Sequence, residues 1–568
     1  MNSLLSLINF KKPHSTDMKY ILDRSQASQH YLSIQFITNT PDNETILQLP
    51  AWRPGRYELG NFAKNIQQFE VSSQEGKKLE YYKTTKDQWL VNTEGVSEIV
   101  VSYTYYAIDF NAGSTYLNEE VLYVNPVNCF VYVPKQINEA CQVEIPVEKN
   151  ERIACGLPSA QGEITTNDFH ELADTPFLVS EHLQVKSYVA KQVECFVWFY
   201  GECKPHWEKV ISDFKKFTEY QIEQFGDFPA NEYHYINIIH PHKAYHGVEH
   251  TTSTIIVLGP SYEVMNERYV DLLGVSSHEL YHAWNIKTIR PAEMNPYDYT
   301  KENYSKLGYV AEGVTTYMGD LMLYESGVFD KKEYANELNQ YLRRHYTNGG
   351  RLNKSVADSS FDTWLDGYEI GAPDRKSSIY IEGALVSFMI DTKIREASNQ
   401  NYSLHTVMKD LYDNFGKKGT GYSEQDYKAS IEKWSGESFD DFFNQFIWGS
   451  HDFSQELSNC FDLRGFSIEK SPSKNAAERF GILTKPEETK EAVVLHVAEN
   501  SAAWKAGLSR EDKIMFVNGY AVENNLNQWL GYFEQDSIKL QVIKGGELAA
   551  VYMESPTEFQ FWDYKVKV

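Results

Sequence analysis

Cysteine is scarce in this chain of 568 residues: six are present (Cys129, Cys141, Cys155, Cys195, Cys203 and Cys460), and no two form a CxxC pair. Neither a disulfide-stapled scaffold nor a thiolate zinc knuckle is indicated. Cys195 and Cys203 are spaced to bridge a hairpin, but free buried thiols are the expectation for all six. Long apolar runs are missing too. No stretch approaches the roughly 18 continuous apolar residues that a membrane helix needs, so no membrane span is expected. Positive charge is outnumbered, with 54 Lys and Arg against 79 Asp and Glu and a net charge of −25. Nucleic acid is therefore not an expected partner, since phosphate binding needs a basic face, and an anionic membrane surface is disfavoured. The stretch Met1–Lys12 (MNSLLSLINFKK) lacks the basic leading region and small-residue cleavage site of a secretory signal. It reads as a cytosolic start, and a cytoplasmic location is expected.

What is present is material for a large core. Hydrophobic residues make up 42% and aromatics 14%, which rules out disorder as the main state. At roughly 150 residues per domain the length suggests three or four domains, and composition divides the chain into three. Residues 1–180 carry strand-like runs such as Tyr31–Phe36, Ile99–Tyr106 and Val121–Val133, separated by turn residues, and predict an all-β, sandwich-like domain. Near Lys204 the pattern turns helical. Val210, Ile211, Phe214 and Phe217 recur at helical spacing and Gly226 follows as a stop. Strands Tyr235–His240 and Thr254–Leu258 then lead into a succession of helices, so residues 181–458 read as a mostly helical α+β domain. The polar segment Lys470–Arg479 looks like a loop near a domain start. Short strands at Ala492–Val497, Lys513–Val517 and Ile538–Ile543 then suggest a small β-rich module over residues 459–560.

The strongest chemical signal is His278-Glu279-Leu280-Tyr281-His282, an HExxH. Four residues advance a helix by about 400°, so both imidazoles share one face, roughly 6 Å apart along the axis, and reach one tetrahedral Zn²⁺. Glu279 projects beside them, placed to take a proton from water rather than to ligate. With sixteen histidines in the chain, the pattern arises by chance only about 0.03 times in such a length. A hydrolytic zinc site wants three protein ligands. Glu312 is the candidate, because it lies in the apolar helical run Leu307–Leu323, where a carboxylate is costly unless paired or metal-bound.

Two further elements flank this motif. His246-Gly247-Val248-Glu249-His250 stands before the strand Thr254–Leu258, as a Gly-x-x-Glu-Asn element does in zinc aminopeptidases. There the Glu holds the substrate's α-ammonium and the adjoining strand pairs with its backbone. Ser378-Ile379-Tyr380-Ile381-Glu382-Gly383 resembles the Tyr-x-x-Gly stretch by which those enzymes place a phenol for the developing oxyanion.

With these residues the chain resembles the glycyl aminopeptidase family of zinc metallopeptidases, whose catalytic domain is thermolysin-like (a gluzincin). The likeness extends to Ala283-Trp284-Asn285 after the HExxH, Ile289-Arg290-Pro291, Val310-Ala311-Glu312-Gly313, and Leu49-Pro50-Ala51-Trp52-Arg53-Pro54-Gly55 in the first domain. It implies a multidomain α+β fold and one zinc per chain on His278, His282 and Glu312. It also implies Glu279 as general base, Tyr380 as oxyanion donor, and Glu249 as amino-terminus anchor, with Gly247 and His250 beside it in the substrate site. Two positions depart from the family: His246 stands where a first Gly is usual, leaving the width of the first subsite open, and Glu382 stands where Lys is usual. The C-terminal module resembles a PDZ domain, with Phe480, Gly481 and Ile482 at the carboxylate-binding loop. Its expected ligand is a peptide C-terminus or the chain's own catalytic domain. The implied activity is zinc-dependent removal of a small N-terminal residue, Gly or Ala, from peptides with a free N-terminus. Two rivals remain: a zinc endopeptidase of the same fold, and a PDZ-bearing peptide-binding protein with a vestigial metal site.

Overall fold

Strand alternation builds the N-terminal part of the computed structural model, which describes residues 18–40, 42–369, 371–485 and 491–568. Met1–Lys12 lies outside the described residues. Along Tyr31–Asn39 every second side chain (Leu32, Ile34, Phe36, Thr38) is buried, as a strand with one covered face requires. It pairs antiparallel with Met18–Gln26 and Glu98–Tyr106 inside a six-stranded sheet, and smaller three- and four-stranded sheets complete the unit. Aromatic rings fill its core, with Tyr20 stacked on Phe36 at 4.8 Å and on Phe130 at 4.5 Å. The run Val121–Val133 is not one strand. Leu122–Val124 is extended, but Pro126 opens a helical turn, Pro126–Cys129, whose first position suits a residue without an N–H.

The middle unit begins before the helical pattern does. Gln184–Ala190 and Val193–Tyr200 already belong to its five-stranded sheet, joined by Glu232–Ile239, Ser253–Gly259 and the edge strand Ala244–Glu249. The central strands are parallel and covered on both faces, so their apolar runs are nearly unbroken. The crossover helix Trp207–Phe225 buries Val210, Phe214, Phe217 and Ile222 and ends at Gly226 in the left-handed region (φ 89°). Helices Tyr269–His282, Thr315–Glu325, Lys331–Thr347, Ile381–Ala397, Leu404–Asn414, Glu424–Ser435 and Ser454–Leu463 pack against this sheet and one another around one large core.

The last unit has a separate small core around Phe480, Ile482, Val494, Leu530 and Leu540. Its strands Ala492–Val497, Lys513–Val517 and Ile538–Lys544 fall where the sequence places them. Lys470–Arg479 is not a loop. Ser467–Pro472 is a strand paired antiparallel with Trp562–Lys567, and Ala476–Arg479 is a helical turn. Pro472 fits because it sits at the strand's end. Cys460, Phe461 and Val566 pack into the middle core rather than the last one. All six cysteines are free and buried. Among the described residues no helix is long and apolar enough to cross a membrane.

Candidate active site

His278 and His282 project from the last turns of Tyr269–His282, a helix held by Leu272, Leu273, Val275, Leu280 and Tyr281 in the core. Their Nε2 atoms are 3.0 Å apart. The carbonyl of Asn285 lies 2.6 Å from His282 Nδ1, so it takes that ring's N–H and leaves Nε2 as a bare donor atom facing His278. Asn285 is itself fixed, donating from Nδ2 to the Val310 carbonyl at 2.9 Å and to Thr315 Oγ1 at 3.0 Å. Trp284 stacks on Phe225 at 4.5 Å. The Ala-Trp-Asn after the HExxH is thus the device that ends the helix and orients the second histidine.

Glu312 arrives from the neighbouring helix. Its Oε2 is 3.4 Å from His282 Nε2 and 3.8 Å from His278 Nε2. The expected α-helix over Leu307–Leu323 is here a π turn, Tyr309–Val314, running into Thr315–Glu325. The apolar residues of the run are buried all round, so periodicity carries no sign of the wider turn. Gly313 and Gly383 meet face to face. A Cβ on Gly383 would lie 2.8 Å from Gly313 Cα, and a Cβ on Gly313 would overlap the Gly383 backbone. This contact sets the helix bearing Glu312 against the helix that follows Tyr380. From the N-terminal unit Tyr57 donates its hydroxyl to Glu312 Oε1 at 3.2 Å.

Tyr380 precedes helix Ile381–Ala397, and its hydroxyl is 3.3 Å from that of Tyr368. Burial first, and then the Glu312 charge, push the Tyr380 phenol well above its usual range, so it keeps its proton and remains a donor. Glu382, the unusual residue in this stretch, is buried and lies 2.7 Å from His345 Nδ1.

His246-Gly247-Val248-Glu249 is the end of an edge strand of its own: Ala244–Glu249 pairs antiparallel with Ser253–Gly259. Gly247 lies so close to the HExxH helix that a Cβ there would overlap Glu279 Oε1. Glu249 ends the strand, only 4% exposed, and a Cβ on Gly55 of the N-terminal unit would overlap its carboxylate. His246 Nε2 is 3.5 Å from Arg53. Burial, Arg53 and Arg56 hold the His246 imidazole down to about 3, so it is neutral. His250 does not join the cleft. One residue past the strand, its Nδ1 lies 3.0 Å from Asp174 Oδ1, which also accepts from Lys287 Nζ at 2.6 Å.

The cleft has a volume of about 750 Å³ and is lined by His278, Glu279, His282, Glu312, Glu249 and Tyr380. His278, His282 and Glu312 offer donor atoms within 4.8 Å of one another, and so do Glu249, Glu279 and His282. Burial, then the charges of Glu249 and Glu312, outweigh His282 and raise the Glu279 carboxyl well above its usual range. Glu279 Oε2 and Glu249 Oε1 are buried with no hydrogen-bond partner. Two imidazoles and a carboxylate converging beside two further buried acids, Glu249 and Glu279, is a donor set that fits a divalent, borderline-soft cation such as zinc. Phe480, Gly481 and Ile482 are far from this chemistry in kind: the N–H groups of Phe480 and Gly481 are bonded to the Ala476 and Glu478 carbonyls rather than turned outward.

Tyr57, Tyr368, Asp174 and Lys287 escape the sequence reading. Tyr57 and Lys287 stand just beyond recognisable motifs, whereas Tyr368 and Asp174 lie in loops without any signal.

Comparison with known families gives two matches: the Peptidase M61 N-terminal domain over residues 19–181 and M61 glycyl aminopeptidase over residues 271–386. No curated protein matches the sequence. Among solved structures the chain is similar to an aminopeptidase N family protein from Idiomarina loihiensis, with a TM-score of 0.90 and 25% identity over 97% of this chain and 98% of that one. An M1 zinc metallopeptidase from Deinococcus radiodurans aligns at a TM-score of 0.48 and 12% identity, over 77% of this chain and 94% of the other.

Proposed function

Since the chain belongs to the M61 peptidases and is a metallo-aminopeptidase, we propose that it removes a small N-terminal residue, Gly or Ala, from peptides, using one zinc held by His278, His282 and Glu312. The observation that carries this reading is a distance. Glu249 reaches within 4.8 Å of Glu279 and His282, which leaves room for a single residue between a carboxylate that pairs with an ammonium and the group that activates water. Gly55 closes the space behind Glu249.

When bound, zinc supplies Lewis acidity, polarising the scissile carbonyl and lowering the pKa of water toward neutrality. The chain's own groups do the rest. Glu249 Oε1 pairs with the substrate's α-ammonium and sets the register. The edge strand Ala244–Glu249 pairs with the substrate backbone as an added strand. Glu279 Oε2 takes a proton from the attacking water and passes it to the leaving amine. The Tyr380 hydroxyl donates to the carbonyl oxygen as charge develops there. We assign residues 1–180, 181–458 and 459–560 to N-terminal, catalytic and PDZ-like units. The last finds its partner on its own catalytic unit, through Glu478, 3% exposed, and Arg343, whose Nη1 donates to Glu478 Oε2 at 3.0 Å.

Free and N-acetylated alanyl anilides test the reading. The free substrate should be cleaved and the acetylated one should not, because acetylation leaves Glu249 buried and unpaired. Equal cleavage of both would replace the aminopeptidase by the endopeptidase. Glu279→Gln should retain one zinc per chain and lose several orders of magnitude in kcat; His282→Ala should lose the metal.

A further inference from the structure

Tyr368 lines the cleft beside Tyr380. Its hydroxyl, 3.3 Å away, is the only hydrogen-bond partner of the Tyr380 hydroxyl among the described residues. Its ring is 44% exposed, so burial does not hold it there. Charges and close contacts do. After Tyr368 the chain returns to the short helix before it: Arg375 Nη1 lies 2.8 Å from Asp362, and Arg375 and Lys376 both pair with Asp366. Gly367 turns the chain into Tyr368 with a φ of 54°, a conformation that favours glycine. A Cβ on Gly367 would lie 2.7 Å from Glu58 Oε2. Glu58 pairs with Arg56, and the Arg56 guanidinium stands 4.9 Å over the Tyr368 ring. The N-terminal unit thus seats this ring against the catalytic phenol.

A phenol has one proton to give. When Tyr380 donates its proton to the scissile carbonyl oxygen, its own oxygen is left facing Tyr368 as an acceptor. The Tyr368 hydroxyl then fills that acceptor. This keeps the Tyr380 O–H turned away from Tyr368, and a hydroxyl that accepts a hydrogen bond donates a stronger one. The gain rises as negative charge gathers on the carbonyl oxygen, so it belongs to the transition state more than to the bound substrate.

Resting on the reading of Tyr380 as oxyanion donor, we infer that Tyr368 is a positioning residue for the reaction. It donates to Tyr380 and aims that phenol's proton at the oxyanion, with Arg56 holding its ring in place.

The test is a cycle of Tyr368→Phe, Tyr380→Phe and the double variant, each checked for equal zinc content. Turnover is read on free alanyl anilide, and affinity on a phosphinic dipeptide analogue whose P–O⁻ oxygen stands in for the oxyanion. Tyr368→Phe should lower kcat by about five- to tenfold, the size of one hydrogen bond, with KM within about twofold. Affinity for the analogue should fall by the same factor. Added to Tyr380→Phe, the same change should move neither readout by more than about twofold, because no hydroxyl is left to aim. Tyr368→Phe within twofold of wild type in both readouts, or equal losses in both backgrounds, overturns the positioning role. A Tyr380→Phe that keeps wild-type kcat and affinity overturns the reading of Tyr380 on which it rests.

Discussion

Gly247 is constrained by the carboxylate beside it, because a single added carbon would displace Glu279. A displacement of about 1 Å at a reacting group costs on the order of 10²-fold, so Gly247→Ala should lower kcat by about that factor. Metal analysis should show zinc content unchanged. Asp174 is constrained by charge. Burial would raise its carboxyl, but Lys287 and His250 outweigh that and hold it well below the usual carboxylate range. Asp174→Asn leaves Lys287 buried without its partner, and urea unfolding at pH 7 should show a loss of about 3–5 kcal/mol. The native contribution is complete above the unfolded pKa of about 3.9 and is lost as pH falls through the lower folded value, so the variant's acid limb should be flatter. At this scale legibility followed chemistry. His278, Glu279, His282 and Glu312 could be singled out because these residue types at that spacing form a pattern, and the structure brings them to one cleft. Asp174 and Tyr368 could not, because their role exists only when distant segments meet, and an aspartate or tyrosine in a loop has no pattern.

Elements were legible where periodicity is one-sided. The crossover helix Trp207–Phe225 and the strand Tyr31–Asn39 each show one apolar face, and both lie where the sequence puts them. Buried-all-round segments hide their geometry, which is why the run Leu307–Leu323 predicts a helix with no sign of the π turn Tyr309–Val314. Short polar strands fail differently. Ser467–Pro472 is held by its partner Trp562–Lys567, about ninety residues on, and its own composition argues for a loop. The crossing of Gly313 with Gly383 is the element-scale feature with most consequence. A methyl at either position forces the helices apart, and overpacking of this kind costs about 1–3 kcal/mol. Gly383→Ala should lower the melting temperature. It should also weaken zinc retention against a chelator, because Glu312 moves with its helix. A destabilised variant with undiminished retention would show that Glu312 is positioned from elsewhere.

Over the whole molecule, the chain crosses between units more than once. The last strand returns to the middle core through Val566, and Arg343 reaches Glu478 in the C-terminal unit. Deleting residues 562–568 should therefore expose Ser467–Pro472 and speed proteolysis of the C-terminal unit, while Arg343→Ala should loosen it alone. Limited digestion followed by mass spectrometry separates the two. The three-part organisation was visible in composition, but the returning strand was not, since six residues beyond a compact module carry no label for the neighbour they join. The contact of Gly55 with Glu249 reaches furthest. It sets the N-terminal unit directly against the carboxylate at the end of the edge strand. On the reading proposed above, the Glu249 carboxylate, backed by Gly55, is then a gauge that counts to one. Any side chain at residue 55 would press on that carboxylate and so shorten the measure rather than lengthen it.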